Sequence, residues 1–283
     1  MSYFSLSVEN YRGETLQLTG NPAYQVTRID GLNPPAAAIN TSAHASFDGS
    51  TFNSSHVENR NIVIELVIEG DAEKNRIELY RYFKTKKAVK IHFRNGSRDV
   101  YTEGYVETFD VGYYEQKENV QVSIICPRPY FIAEQFTSVS FGAVRPLFEF
   151  PFSIETPIPF SELDFDSEIN VENTGDVETG IVIRFWAMGE MTNPTLYRTD
   201  TGQMIKVLVA MELGDVVEVS TISGEKRVTL ISDGVETNAL NLLDAASSWI
   251  TLEPGDNTFQ TGADTYPENL ACTFEYSNLY EGA

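Results

Sequence analysis

The residues to test first for chemistry are three histidines, His44, His56 and His92, because imidazole can serve as a metal ligand or as a base near neutral pH. His44 and His56 fall in a long stretch rich in Gly, Pro, Ala, Ser and Asn, and His92 falls on a strand of an expected hairpin. None lies in an HExxH pattern. A zinc site built on His44 and His56 would need a third or fourth ligand, and no cysteine is nearby. The run Asp164-Phe-Asp166-Ser-Glu168-Ile-Asn170 sets a side-chain oxygen at every second position. On a strand those oxygens would share one face, which a calcium ion could use, but the turn glycine of an EF-hand loop is missing. A solvated strand face is the plainer reading. Trp186, Trp249 and Tyr197 could stack on sugar rings, although tryptophans more commonly pack in cores. Carboxylates are so abundant that no pair stands out as the acid and base of a glycosidase. No GxSxG, GxxxxGK[ST] or GxGxxG motif occurs. The sequence predicts no catalytic residue, no metal site and no cofactor.

Charge separates the chain into two parts. The net charge is −21, yet Met1–Ser140 holds 14 Lys+Arg against 17 Asp+Glu and the remainder 6 against 24. The near-neutral first part and strongly acidic second part imply different surroundings. The acidic part argues against binding nucleic acid or an anionic membrane, because phosphate neutralisation needs Lys and Arg. No apolar run approaches the roughly 18 residues of a membrane-spanning helix. The first residues lack the basic region and apolar core of a signal peptide, so folding in a cytosol is expected. The two cysteines, Cys126 and Cys272, sit in apolar runs and read as buried hydrophobes rather than a disulfide framework.

The elements that must position any site come next. Tyr3–Val8 alternates Phe4, Leu6 and Val8 against serines, as a half-buried strand does. Asn61–Glu69 is apolar at both phases, with Ile62, Ile64, Leu66 and Ile68 on one face and Val63 and Val67 on the other, which suits a strand covered on two sides. Asp71 reads as the N-cap of a helix running to Lys87, with Leu79, Tyr80 and Phe83 on its buried side. Ala88–Phe93 and Asp99–Asp110 flank Asn95-Gly96, a type I′ hairpin signal. A strand then runs to Cys126 and exits through Pro-Arg-Pro-Tyr-Phe131. The stretch from Gly31 to Arg60 is expected to be a long loop packed against a partner. Prolines and phenylalanines cluster after residue 127, including Pro146, Phe148, Pro151, Phe152 and Phe160, and mark a domain junction. From Ile169 onward, short strands separated by turns every 8–12 residues predict an antiparallel β-sandwich. The fold class is therefore mainly β: an α+β domain with one main helix over 1–135, and a sandwich domain, junction included, over 136–283.

The order of these features resembles the distal tail proteins of siphophages that infect Gram-positive bacteria, the Dit family. The first part carries Asp30-Gly-Leu with Pro34-Pro, Asp48-Gly-Ser, the strand Asn61–Glu69, Tyr80-Arg-Tyr-Phe83 on the helix, and the exit Ser123-Ile-Ile-Cys-Pro-Arg-Pro-Tyr-Phe131. The second carries Val171-Glu-Asn173-Thr-Gly-Asp176, Asn193-Pro194, Leu213-Gly-Asp215, Ser248-Trp249, Leu252-Glu-Pro-Gly-Asp-Asn257 and Phe274-Glu-Tyr276 to Gly282. The resemblance implies a hexameric ring made by the first domain and a galectin-like sandwich in the second. It implies a virion protein of the tail tip or baseplate, made in the cytoplasm of the bacterial host. Its partners would be the tail tube protein, a tail-associated lysin or tip protein and, in some phages, a receptor-binding protein, without nucleic acid or membrane insertion. Within that frame Ile64, Leu66, Tyr80, Phe83 and Tyr105 are the expected ring-interface residues. Two other readings compete with this hub. One is a lectin-like module that binds host cell-wall carbohydrate through Trp186, Trp249 or Tyr197. The other is a glycan-cleaving enzyme, for which no acid and base can be named.

Overall fold

The computed structural model describes residues 4–46, 48–113, 117–141, 143–146, 161–164 and 168–283. Most of the expected Pro/Phe junction and the carboxylate of Asp166 lie outside the described residues. The chain divides into two units, Met1–Glu134 with Leu279–Ala283, and Gln135–Asn278. The last five residues thus belong with the first unit rather than with the sandwich.

The first unit is an antiparallel sheet, a separate two-stranded hairpin and a helix. The strands are β1 (Ser5–Asn10), β2 (Thr15–Gln17), β3 (Tyr24–Asp30), β4 (Ala37–Ala43), β5 (Ser50–Val57) and β6 (Arg60–Ile68). Helix α1 (Ala72–Tyr82) follows, then β7 (Ala88–Arg94), β8 (Asp99–Val111), β9 (Asn119–Cys126) and β10 (Phe131–Ala133). The sheet runs β2-β1-β7-β8-β9-β6-β3, and β10 pairs with both β8 and the C-terminal strand Leu279–Tyr280. Strand side chains alternate between faces, so one apolar phase builds one core face. Leu6 and Val8, Ile62, Ile64, Leu66 and Ile68, and Val89, Ile91 and Phe93 all point into it. Val63 and Val67 lie on the opposite face and stay half-buried, so β6 is fully covered on one side only.

Helix α1 closes the core. The Asp71 carboxylate caps it by accepting from the Lys74 amide at 3.2 Å. It ends at Tyr82, earlier than the lysine run suggested: Phe83 leaves helical geometry with ψ 56, and Lys86 takes φ +64 in the turn that follows. Leu79 and Phe83 bury, whereas Ile77 and Tyr80 stay exposed. The helix packs on both β1 and β6. The Asn10 side-chain amide donates to the Arg81 carbonyl at 3.4 Å, and the Tyr24 hydroxyl donates to the Glu78 carboxylate at 2.7 Å. Strands far apart in the sheet order therefore meet one helix, and the sheet must curl around its core.

The β7–β8 turn departs from the type I′ expectation. Neither Asn95 nor Gly96 takes a positive φ. Four residues separate the paired Arg94 and Asp99, and the Asn95 side chain bridges them by accepting from Ser97 and Arg98 amides at 2.8 Å. The stretch expected as a loop from Gly31 to Arg60 holds the paired strands β4 and β5.

The second unit is a two-sheet sandwich. One sheet runs Thr137–Phe141, Leu270–Tyr276, Val182–Ala187, Val216–Ser220, Arg227–Ser232 and Val235–Asn238; the other runs Ile169–Asn173, Gly255–Gly262, Thr195–Arg198 and Gln203–Lys206. Ile183, Phe185, Val217, Val219 and Phe274 from the first sheet meet Val171, Leu196, Ile205 and Phe259 from the second. The Phe259 and Phe274 rings pack edge-on at 5.2 Å, locking the two sheets together. Two buried asparagines hold the turns. Asn173 donates to the Leu252 carbonyl at 2.9 Å, and Asn257 donates to the Glu253 and Gly255 carbonyls at 2.8 Å.

Candidate assembly interface

Arg60 organises the first unit. It is buried at the start of β6 and lacks a carboxylate partner among the described residues. Its guanidinium instead donates to four carbonyls: Gly31, Asn33 at 2.8 Å, Pro129 at 2.5 Å and Glu281 at 2.6 Å. It also lies over the Phe131 ring at 4.4 Å. Burial lowers its pKa, yet an arginine remains charged and keeps its donors. One side chain thus ties the loop into β4, the Pro-aromatic exit and the returning C-terminus. Arg98 repeats the device, donating to the Gly282 carbonyl and stacking on Tyr280 at 4.5 Å.

The β4–β5 hairpin is the least covered pair of strands in the first unit. Nearly every residue in both strands is exposed, including Ile39 (58%) and Phe52 (60%). Its cross-strand links are polar: Asn40 donates to Ser54 at 3.1 Å, Asn53 to Ser42 at 2.6 Å, and His44 meets the Thr51 hydroxyl. The outer side of α1 adds a second exposed area. There the Tyr80 and Tyr113 hydroxyls meet at 3.2 Å, Tyr80 packs edge-on against Phe109, and Arg76 pairs with Glu118 at 2.7 Å while lying over Tyr113.

The expected interface residues separate into two groups. Ile64, Leu66 and Phe83 are buried in the core of the unit and cannot offer side chains to a neighbour. Their phase explains it: Ile64 and Leu66 share the face of Ile62 and Ile68, and Phe83 lies one turn after Leu79. Tyr80 and Tyr105 are exposed, Tyr105 on the outer face of β8. Sequence reasoning missed Ile39, Phe52, Ile77 and Tyr113. For Phe52, an apolar residue isolated in a polar run was the available signal.

The sugar-stacking trio does not converge. Trp186 points outward from the larger sheet of the sandwich and Tyr197 from the smaller, while Trp249 is half-buried against the core beneath the Lys226 ammonium at 5.3 Å. A sandwich that buries the alternate residues Phe185 and Leu196 between its sheets turns Trp186 and Tyr197 to opposite sides.

Among the described residues, no three His, Cys, Asp or Glu side chains converge as a metal site. A shallow cleft of about 430 Å³ includes Glu9, His92 and Glu134. His92 Nδ1 contacts the Glu134 carboxylate, and Nε2 lies 3.3 Å from Glu9 without hydrogen-bond geometry. The imidazole, on β7 between β1 and β8, is held between two carboxylates. Both thiols are buried, and burial raises their pKa, so neither is an activated nucleophile.

Comparison with known proteins gives the surfaces a context. The family described as phage tail protein RIFT-related domain matches residues 11–126, and the siphovirus-type tail component, C-terminal domain, matches residues 174–280. The chain belongs to the siphophage distal tail protein family. It is a phage tail component. One match falls within the first unit, and the other covers the second from 174 and runs two residues past its end. Among solved structures, the SPP1 Dit protein, described as a paradigm of hub adsorption apparatus in Gram-positive infecting phages, is similar at 16% identity and a TM-score of 0.69. That alignment covers 98% of this chain and 99% of the other. The phage P2 baseplate in its activated conformation, with Ca and with Sr, is similar at 10% identity and a TM-score of 0.58, over 99% of this chain and 100% of the other. No curated protein sequence matches. At these identities the structural likeness speaks for the fold.

Proposed function

We propose that the chain is a non-enzymatic hub of a siphophage tail tip, forming a hexameric ring that joins the tail tube to tip proteins and to the host-adsorption apparatus. The exposed β4–β5 hairpin carries this reading. A two-stranded ribbon is marginally stable on its own, so an arm bare on both sides is suited to being covered by a neighbour. A ring needs a heterologous interface, in which one patch of each subunit meets a different patch of the next. Ile39 and Phe52 on the arm supply one patch, and Ile77, Tyr80 and Tyr105 on the body supply candidates for the other. The tail tube protein, a tail-associated lysin or tip protein and a receptor-binding protein are the partners such a hub would join in the virion. Native mass spectrometry of the full chain across low to tens of micromolar protein should show hexamers, and negative-stain images should show a six-fold ring. Ile39→Ser with Phe52→Ser should shift the population to lower species while leaving each subunit folded. A chain that stays monomeric throughout would overturn the reading.

A further inference from the structure

One end of the sandwich presents a second, unrelated apolar surface. Leu213 is 75% exposed, Met188 64%, Tyr266 56% and Trp186 42%. These residues come from three segments knitted together by the backbone. The Met188 amide donates to the Asn269 carbonyl at 2.8 Å, Gly214 to Ala187 at 2.9 Å, and Ala187 to Asp215 at 3.0 Å. The Asn269 amide donates to the Tyr266 carbonyl, and its side chain to the Glu190 carbonyl, both at 2.9 Å. The surface is therefore built on a fixed frame. Tyr266 is held at φ +51, a left-handed conformation unusual for a bulky residue.

The patch continues onto the larger sheet. Trp186 pairs in register with Ala271 on one side and Val216 on the other, and Val216 pairs with Ile231. Val216 is buried without belonging to the core between the sheets, so Trp186 covers it from outside. The neighbouring row is ionic: Arg184 pairs with Glu218 at 2.9 Å and with Glu275 at 2.8 Å. An apolar row next to the turn cluster is thus bounded by charge.

That charge is one-signed at the turns. The segments 186–190, 211–216 and 264–269 hold Glu190, Glu212, Asp215, Asp264 and Glu268, and no Lys, Arg or His. Among the described side chains of the unit the other cations are engaged away from these turns, Arg184, Arg198 and Arg227 in ion pairs and Lys226 over Trp249, while Lys206 pairs with Asp264 at 2.6 Å and leaves Glu190, Glu212, Asp215 and Glu268 as the acidic rim. A large exposed patch of Met, Leu and aromatic side chains marks a contact surface, and an acidic rim selects the charge of what sits on it.

We propose that this end of the sandwich docks a protein partner whose contacting face is an apolar anchor ringed by Lys or Arg. Met188 and Leu213 offer a saccharide no hydrogen bonds, so the surface favours a protein over a glycan. The proposal goes beyond the hub reading and does not depend on the ring.

The probe is a synthetic amphipathic Leu/Lys helical peptide, titrated against the full-length chain and followed by Trp fluorescence anisotropy and calorimetry. Leu/Glu and Ser/Lys peptides of equal length serve as controls. Met188→Asp with Leu213→Asp should weaken Leu/Lys binding about tenfold or more, as loss of an interface centre does. Val235→Asp with Leu240→Asp, also exposed but on other elements, should leave it unchanged. The milder Met188→Ser with Leu213→Ser, checked by circular dichroism, covers a failure of the Asp pair to fold. Equal binding by both variants, equal binding of the Ser/Lys peptide, or patch-dependent binding of purified cell-wall saccharide in place of the peptide would overturn the proposal. The oligomeric state of the same samples is read by mass, so a monomer that still binds through the patch refutes the ring alone.

Discussion

Removing Arg60 is the sharpest test of how the first unit is held. Arg60→Leu keeps most of the apolar stem but deletes the donors to the Gly31, Asn33, Pro129 and Glu281 carbonyls. A carbonyl that stays dry without its donor costs about 1–3 kcal/mol, whereas one that opens to water costs little. Gly31, Asn33 and Glu281 lie in segments near the surface, so one or two of the four carbonyls remain unsatisfied. Loss of the Phe131 stacking adds a smaller amount. The expected destabilisation is about 3–4 kcal/mol, or a midpoint about 10 °C lower for a unit of this size. The assay exploits the placement of tryptophan. Trp186 and Trp249 both lie in the second unit, so Trp fluorescence follows that unit while far-ultraviolet dichroism follows both. Arg60→Leu should split the transitions, moving the dichroism-only phase and sparing the fluorescence phase. Hydrogen exchange at 279–283 should accelerate with it, since the Glu281 anchor is gone. A shift below about 1 kcal/mol in the first unit would refute the reasoning, because it would mean all four carbonyls find water at no loss.

Three further outcomes follow from the geometry. Gly31 has φ +89, and an added Cβ would lie 2.2 Å from the Asn61 carbonyl oxygen, so Gly31→Ala should cost more than about 2 kcal/mol in denaturant unfolding. Burial pushes the Glu218 pKa up, but hydrogen bonds and charge from Arg227 and Arg184 outweigh it and leave the pKa low. With the folded pKa below the unfolded value of about 4.3, ionised Glu218 stabilises the sandwich above that pH, and the contribution disappears as pH falls through the lower folded value. Glu218→Gln should flatten the acid limb of the fluorescence-detected stability curve; an unchanged limb would count against the Arg184–Glu218–Arg227 cluster as its source. Cys126 and Cys272 are buried, so native protein should resist a thiol reagent at pH 8 and label at the rate of unfolding; fast labelling would contradict the packing.

What could be read from the sequence was set by how far each signal reaches. The Asp71 cap and the sandwich turns are local, and the structure carries a capped helix and short antiparallel strands there. The motif asparagines Asn173 and Asn257 are turn anchors. Reading β6 as covered on two sides gave weight to valine content over phase. The period of two places Val63, Glu65 and Val67 together on the other face, and the same rule sends Ile64 and Leu66 inward. The β4–β5 hairpin had no such signal, because a ribbon exposed on both faces shows no apolar alternation. The return of Leu279–Tyr280 to β10 was beyond local reading, since a two-residue strand pairing with a segment so distant in sequence leaves no pattern.

In the proposed ring the hairpin is also where folding and assembly would meet. Ordering a residue costs about 1–2 kcal/mol of backbone entropy, and an exposed hydrogen bond returns only about 0.5–1.5 kcal/mol. The ladder between β4 and β5 and the Asn40–Ser54 and Asn53–Ser42 links can therefore offset the ordering of the arm at best in part. Apolar burial is the usual remainder, and on the arm it is withheld: Ile39 and Phe52 face water. In the core of the same unit that burial is complete, with Ile62, Ile64 and Phe83 almost fully covered. In the proposed ring, a chain that closes one side of a sheet so fully and leaves an attached ribbon bare would place part of its stabilisation outside the subunit. Covering Ile39 and Phe52 would return about 1.5–3 kcal/mol for each side chain, enough to make the arm's order depend on protein concentration. Hydrogen exchange within 37–57 should then slow as concentration rises, while exchange in the core strands stays constant.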